Sequence, residues 1–369
     1  MRISSRTTGH LLALLVTTAV LAAACADDDG STTTAASAPE TTAAPVTTAA
    51  PETTAAPDTT AAPETTAAPE PVAVSLRLPW FLGSQFAGEL VAQEKGYFAE
   101  EGLDVTINPG GFDTNSITLV AAGTDTFGLH DMNSLVFAVS EDIPLITAAT
   151  FLQKHPGAVM ARADSGIDTL DDFAGATVGF HEGGPWMLTQ AMLVKNGVDL
   201  DSLDKMTVGF DLTPLLQGDI DLYTVFATNE PILAGLQGVE TNVWVPFDYG
   251  VETSANALFT TKSYLEENPD IVCGMVRAIA RGWEYAYDNP DETTDIVVAS
   301  DPDNLDRDTQ RLVLDATLVH VRTPGAVEHG ICYMTAGRWE TVIDVLQAYG
   351  GLTVDMDVNS LFTDACFAS

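Results

Sequence analysis

The sequence predicts an α/β protein with mostly parallel sheets, and three observations carry that prediction. From residue 72 onward, short strand-like runs alternate with helical stretches, the order expected of βα units with ligands at the carboxyl ends of strands. The alternation occurs in two regions, one starting near residue 72 and a second near Thr169. With 46% hydrophobic residues in 369, the chain can bury a sizeable core of roughly two domains.

Element by element, Val74-Ser75-Leu76-Arg77-Leu78 alternates apolar and polar side chains and stops at Pro79-Trp80, which reads as a first strand. Phe86, Leu90, Val91, Ala92 and Tyr97-Phe98 lie near helical spacing over 85–99. After Gly102 comes a strand over 103–107, broken by Asn108-Pro109-Gly110-Gly111. Helices are expected at 115–122 and 131–140, with a strand at 126–129 between them and an apolar run at 143–151 after them. In the second region, 170–180 reads as a helical turn feeding a strand. His181-Glu182-Gly183-Gly184-Pro185-Trp186 reads as the loop that opens the next helix. Further strands are expected at 206–210, 222–226 and 241–247. Helices follow at 262–267, 269–288, 305–321 and 335–349, and the stripe Val272, Val276, Ile279, Trp283, Tyr287 marks a face packed on the body.

The first seventy residues follow other rules. Arg2 and Arg6, an apolar stretch over 11–21 and Ala22-Ala23-Ala24 give the charged, hydrophobic and small-residue order of a secretory signal at 1–24. Cys25 directly after it resembles the bacterial lipoprotein cleavage box, although Ala22 stands where Leu is usual; ordinary secretion is the alternative. Lipidation of Cys25 would anchor the chain to the outer face of the cell membrane. Residues 25–71 then form a tether in which Thr-Thr-Ala-Ala-Pro recurs at 41, 47, 53, 59 and 65. Without large apolar side chains nothing offsets its ordering entropy, so disorder is expected there. Of 52 acids only eight lie at 26–71, and 15 bases leave a formal charge of -37. That balance excludes nucleic acid as a partner, because phosphate binding needs a basic footprint.

From Trp80 onward the residues also carry a resemblance. Gln85-Phe86-Ala87-Gly88, Glu94-Lys95-Gly96-Tyr97-Phe98-Ala99-Glu100-Glu101-Gly102-Leu103-Asp104-Val105, Gly110-Gly111 and Phe127-Gly128 are similar to solute-binding proteins of bacterial ABC importers. The particular likeness is to the group with binders of thiamine pyrimidine precursors and of riboflavin; nitrate, sulfonate and taurine binders are wider relatives. Thr228-Asn229-Glu230-Pro231, Asp248-Tyr249-Gly250 and 282–290 extend it. The resemblance implies a two-lobed periplasmic-binding-protein fold of type II, with a hinge of two crossover strands closing on a small molecule. The first lobe is expected over 72–165, the second over 166–255, and C-terminal helices returning to the first over 256–369. It implies a small-molecule ligand, an ABC permease as partner, an extracytoplasmic location, a monomer, and no cofactor.

No Gly-x-Ser-x-Gly elbow, His-Glu-x-x-His helix or Walker loop is present, and the six His are scattered, so neither catalysis nor a metal site is expected. A sensing domain, a pyrimidine-synthase-like enzyme of the same fold and a sulfonate, nitrate or taurine binder are the alternatives. The loops at the expected strand ends contain aromatics, His, Asn and acids but no Lys or Arg, which points to a neutral or cationic nitrogen heterocycle. The candidate ligand-binding residues are Trp80, Gln85, Phe86, His130, Asn133, Glu182, Trp186, Asn229, Glu230, Asp248 and Tyr249. Trp80 would stack on a ring or else pack in the core, Asn133 would bind or cap a helix, Trp186 would touch ligand or fill core, and Tyr249 would bind or plug the lobe interface. Glu230 would accept from a ring amino group, as the resemblance suggests, or sit as a helix N-terminal carboxylate. Cys332 and Cys366, both C-terminal, are expected to pair and leave Cys273 as a buried thiol.

Overall fold

The computed structural model describes residues 70–181 and 183–367. The expected signal segment, Cys25, nearly all of the tether, and Glu182 lie outside the described residues.

Two five-stranded sheets organise the chain. The first contains β1 (Val72–Arg77), β2 (Leu103–Asn108), β3 (Phe127–His130), β4 (Leu145–Leu152) and β10 (Ala255–Thr261), in the order β2-β1-β3-β10-β4. The second contains β5 (Gly157–Arg162), β6 (Thr177–Phe180), β7 (Asp204–Thr207), β8 (Leu222–Phe226) and β9 (Thr241–Trp244), in the order β7-β6-β8-β5-β9. β1 runs parallel to β2 from Val72 opposite Leu103 to Arg77 opposite Asn108. β10 in the first sheet runs against β3 and β4, and β5 in the second runs against β8 and β9. Each is the strand entered straight from the other sheet, through residues 153–156 or 250–254. A chain arriving from the opposite lobe enters at the carboxyl ends of the parallel strands and must therefore run against them.

The first lobe's helices are α1 (Ala87–Glu94), α2 (Tyr97–Glu100), α3 (Ser116–Ala121) and α4 (Met132–Ser140). The single helix expected over 85–99 is divided, because Gly96 takes a left-handed φ of 75° between α1 and α2. The second lobe carries α5 (Gly184–Lys195), α6 (Thr213–Gln217) and α7 (Glu230–Leu236). After β10 come α8 (Lys262–Glu267), α9 (Pro269–Asp288), α10 (Pro290–Ser300), α11 (Arg307–Val321), α12 (Pro324–His329) and α13 (Ala336–Val345). Proline stands in the first turn of α5, α6, α7, α9, α10 and α12, where its missing N–H costs nothing. α10 is absent from the sequence expectation although Asn289-Pro290 and two acids mark its start. The second sheet begins at Gly157, ahead of the boundary expected at 165, since the run before it gives no sign of changing lobes. The strand expected over 206–210 ends at Thr207.

The first lobe's core gathers Leu76, Leu78, Phe86, Phe98, Leu129, Phe151 and the inner face of α9, including Ile279 and Trp283. α13 seals the other side of the sheet with Trp339 and Val342 against α4 and β10. Separate clusters around Phe173, Trp186 and Trp244, and around Leu215 and Tyr223, fill the second lobe. The C-terminal segment runs beside β4, where Thr147 N–H donates to Leu361 O and Thr363 N–H to Thr147 O. That path carries Cys366 to the first turns of α9, where it bonds Cys273 with a Cα–Cα separation of 5.0 Å. The expected Cys332–Cys366 pair is thus corrected: among the described residues Cys332 is the free thiol, and burial pushes it up to about 11.

α1 crosses α9 at two glycines. A methyl on Gly282 would stand 1.9 Å from Gly88 O, and one on Gly88 would stand 2.2 Å from the Trp283 ring. Gly282→Ala should therefore lower stability by about 1–3 kcal/mol, the backbone clash outweighing the ~1 kcal/mol gain in helix propensity, as read by thermal and urea unfolding.

At the same crossing Glu89 is fully buried, and neither carboxylate oxygen finds a partner among the described residues. Burial pushes its carboxyl from 4.5 up to about 8. The folded state then keeps a proton that the unfolded chain releases above pH 4.5, so the site's contribution is full below pH 4.5 and fades as pH rises toward 8. Glu89→Gln should melt a few degrees above the parent at pH 8 and close to it at pH 5; a difference constant with pH would exclude a buried neutral Glu89.

Candidate ligand-binding cleft

The carboxyl ends of the parallel strands in both sheets face one cleft, the position at which open α/β sheets bind ligands. Trp80 and Phe81 follow β1, Phe112 follows β2, His181 follows β6 and Phe210 follows β7. Trp80 stands edge-on to Phe81 (5.4 Å between centroids) and Phe112 (4.9 Å) within the first lobe. Across the cleft it reaches Phe210 at 6.0 Å, and Phe112 reaches Phe210 at 5.9 Å. Phe210 in turn lies flat on His181 at 4.3 Å and 18°. The His181 Nε2 is held by Gly209 O at 3.0 Å and the Tyr223 hydroxyl at 3.1 Å. The local backbone makes this possible. Gly110 N–H donates to Trp80 O at 2.8 Å, and a side chain on Gly110 would stand 2.5 Å from Leu78 O and Trp80 N. The early end of β7 turns Phe210 toward the other lobe, and it is 67% exposed, as is Phe112.

Next along the strand ends from the aromatics is a polar floor. Asp131 and Asn133 follow β3, His155 lies on the first crossover, and Gly184 opens α5. Gly157 N–H donates to His155 Nδ1 at 2.9 Å, which leaves the proton on Nε2. That Nε2 stands 3.7 Å from Asp131 Oδ1, too far for a hydrogen bond. A methyl on Gly184 would lie 3.4 Å from Asn133 Nδ2 and 3.8 Å from Asp131 Oδ2, so the second lobe's helix start closes on both residues. Asn133 is 2% exposed, and neither its Nδ2 nor its Oδ1 has a partner among the described residues; the same holds for His155 Nε2, Thr224 Oγ1 and Thr253 Oγ1. Burial pushes both His155 and His130 below the usual histidine range, so both rings are neutral at pH 7.

The residues named from sequence divide accordingly. Trp80 and Asn133 belong to this cleft, and Asn133 sits inside the first turn of α4, with Asp131 at the N-cap position, so it does not cap the helix. His130 adjoins them, its Nδ1 accepting from Asp131 N–H at 2.9 Å. Gln85 lies in the turn before α1, where its Nε2 donates to Phe81 O and its carbonyl accepts from Asn256. Phe86 and Trp186 fill the two lobe cores instead, Trp186 stacked on Phe180 at 4.6 Å. Glu230 takes the helix-terminal alternative: Oε2 accepts from Phe226 N–H and Oε1 from Asn229 Nδ2, both at 2.8 Å. Asp248 pairs with Lys154 at 2.6 Å, and Tyr249 packs on the second lobe's core. Phe81, Phe112, Phe210, Asp131 and His155 were not singled out as ligand-binding candidates from sequence. Phe112 and Phe210 each directly follow a glycine past a strand, which is the signal that could have found them.

Two sheets hinged by two crossovers, with aromatic and unpartnered polar groups converging between them, define a type II periplasmic-binding-protein architecture. The NMT1/THI5 like family model matches residues 83–293, and the chain belongs to that family. It is 29% identical over 302 residues to the formylaminopyrimidine-binding protein of Halalkalibacterium halodurans, covering 79% of this chain and 90% of the relative. It is 28% identical to the riboflavin-binding protein RibY of Chloroflexus aurantiacus, covering 79% and 85%. A 4-amino-5-hydroxymethyl-2-methylpyrimidine phosphate synthase of Legionella pneumophila is 26% identical over 62% of this chain and 74% of its own. Among solved structures, the periplasmic sulfonate-binding protein SsuA of Methylobacillus flagellatus superposes with a TM-score of 0.63 over 81% of this chain and 94% of its own, at 14% identity, a likeness of fold alone.

A buried amide without partners forfeits about 1–3 kcal/mol of desolvation. The volume-conserving Asn133→Leu should accordingly raise the melting temperature by a few degrees in protein without added ligand. A marked fall would show that Asn133 has a structural partner and is not held for a ligand.

Proposed function

We propose that the protein is the extracytoplasmic solute-binding lipoprotein of an ABC importer, capturing a small nitrogen heterocycle of the thiamine-pyrimidine-precursor or riboflavin type. The observation that carries this reading is the convergence of Asn133, Asp131 and His155 at the strand ends next to those that carry Trp80, Phe112 and Phe210. An aminopyrimidine edge presents an amino donor beside a ring-nitrogen acceptor. The Asn133 amide can accept from the first and donate to the second, Asp131 accepts, and the His155 Nε2–H donates. The aromatic rings supply faces for a flat ring, and lobe closure excludes water. Membership of the family and the names of two of its similar relatives support binding, while the synthase relative keeps catalysis as the reading to test against.

The cations at the cleft edges are committed elsewhere. Arg77 is held by Asp125 at 2.8 Å and Lys154 by Asp248, which disfavours sulfonate or nitrate. The Cys25 lipid and the tether would hold the domain outside the membrane within reach of a permease. Among the described residues no helix is long and apolar enough to cross a membrane.

Titration calorimetry of the secreted domain with formylaminopyrimidine, riboflavin, an alkanesulfonate and nitrate tests the reading. A heterocycle should bind and be recovered unchanged, and Trp80→Ala should weaken it about threefold to tenfold, the worth of one stacking contact. Binding of only the anions, or conversion of the heterocycle, would overturn it.

A further inference from the structure

The hinge is held from behind by one side chain. Arg338, in the first turn of α13, donates from Nη1 to Gln153 Oε1 at 2.5 Å and to Ser254 Oγ at 3.0 Å, and from Nη2 to the Tyr333 hydroxyl at 2.6 Å. Gln153 and Ser254 belong to different crossovers. A single planar guanidinium therefore spans both segments that connect the lobes, which a lysine's point charge could not reproduce. The crossovers are also joined directly: Ser254 Oγ lies 3.4 Å from Gln153 O, and His155 N–H donates to Thr253 O at 2.9 Å. Gln153 is fully buried, and its Nε2 donates onward to Ile331 O at 2.7 Å, Tyr333 O at 3.1 Å and Thr150 O. Two residues along the chain, the same crossover presents His155 to the cleft floor.

We infer that Arg338 is a positioning residue for lobe closure. By clamping the two crossovers together from the first lobe's side, it fixes the angle at which the second lobe swings and the place of His155 beneath the ligand. Its surroundings suit adjustment. An open pocket of about 460 Å³ lined by Glu252, His329, Tyr333, Thr335 and Arg338 adjoins the clamp, so the guanidinium is not sealed in on that side. Unlike the cleft residues, Arg338 is not proposed to touch ligand. The inference on affinity rests on the proposed binding function, whereas that on lobe angle does not.

The test separates the two. Nitroxides at Glu141→Cys in the first lobe and Asp201→Cys in the second, in a Cys332→Ser background, report the inter-lobe distance by pulsed electron resonance. In protein without ligand, Arg338→Ala should broaden or shift that distribution, and Ser254→Ala, which cuts only one arm of the clamp, should do so to a lesser degree while folding normally. With formylaminopyrimidine or riboflavin as probe, Arg338→Ala should weaken binding several-fold, mainly through faster dissociation. A Ser254→Ala distribution identical to the parent's, or an Arg338→Ala protein that folds with an unchanged distribution, would overturn the clamp. If neither probe binds the parent, the function reading falls and the distance distributions still decide the inference.

Discussion

Everything in this molecule depends on the chain crossing between its sheets only twice, and on those crossings being bonded to each other. The hydrogen bond from His155 N–H to Thr253 O ties the outgoing segment to the returning one. From that constraint follow the reversed strand in each sheet, the facing of the parallel strands' carboxyl ends across one cleft, and a single axis about which the lobes can move. Lys154 reinforces the tie: its backbone N–H donates to His320 O at 3.0 Å, its carbonyl lies 3.0 Å from His320 Nδ1, and its ammonium pairs with Asp248. Burial pushes His320 down to about 4, so its ring is neutral at pH 7 and bonds to Lys154 O without a charge.

The first lobe is the more heavily braced partner. α9 lies on α1 with backbones in contact at Gly88 and Gly282, and its far end is linked to the C-terminal segment through Cys273 and Cys366. α11 reaches back to the first lobe's entry, where Gln310 accepts from Ser84 N–H and its carbonyl from Ser84 Oγ. Most of the described chain after residue 262 therefore thickens the lobe that carries Trp80, Asp131 and Asn133, while Val345 and Tyr349 also join the second lobe's core. The second lobe brings Phe210, His181 and the start of α5 to that platform. Such a division lets a hinge motion change the distance across the cleft while leaving the donors of each lobe where their own strands hold them.

Much of this was legible in the sequence, and the misses share a cause. Alternation of short strands and helices gave nearly every parallel strand, and Pro269 gave the start of α9, because those signals are local. β5 and β10 escaped because each is entered from the other lobe without an α-helix before it, so neither completes the strand–helix alternation. Cys273 pairing with Cys366 depends on the tail running along β4, a long-range contact that spacing cannot show. At the cleft, Trp80 and Asn133 were visible as polar or aromatic residues just past a strand. Phe86 and Trp186 carried the same signal yet turned inward, since a residue one or two places further along a helix start faces the core. Phe210 was hidden by a strand drawn three residues too long, which placed it in a sheet edge.

One fold serves anion binders and the proposed heterocycle binder, so the ligand class must be set by what stands at the strand ends. Here the choice of charge is made at two ranges. Close in, the donors are an amide, a neutral imidazole and hydroxyls beside the Asp131 carboxylate, with Arg77 and Lys154 neutralised by Asp125 and Asp248. Further out, 44 of the 52 acids belong to residues after the tether, against 13 bases, so the field around the domain is negative over at least a Debye length of about 8 Å. An anion would meet repulsion before reaching the cleft and find no unpaired cation among these groups once there. A neutral or protonated ring meets neither obstacle, and the carboxylate that would repel a sulfonate becomes its acceptor. The acidity of the domain and the polar floor of its cleft thus act in the same direction, and both favour the proposed class of ligand.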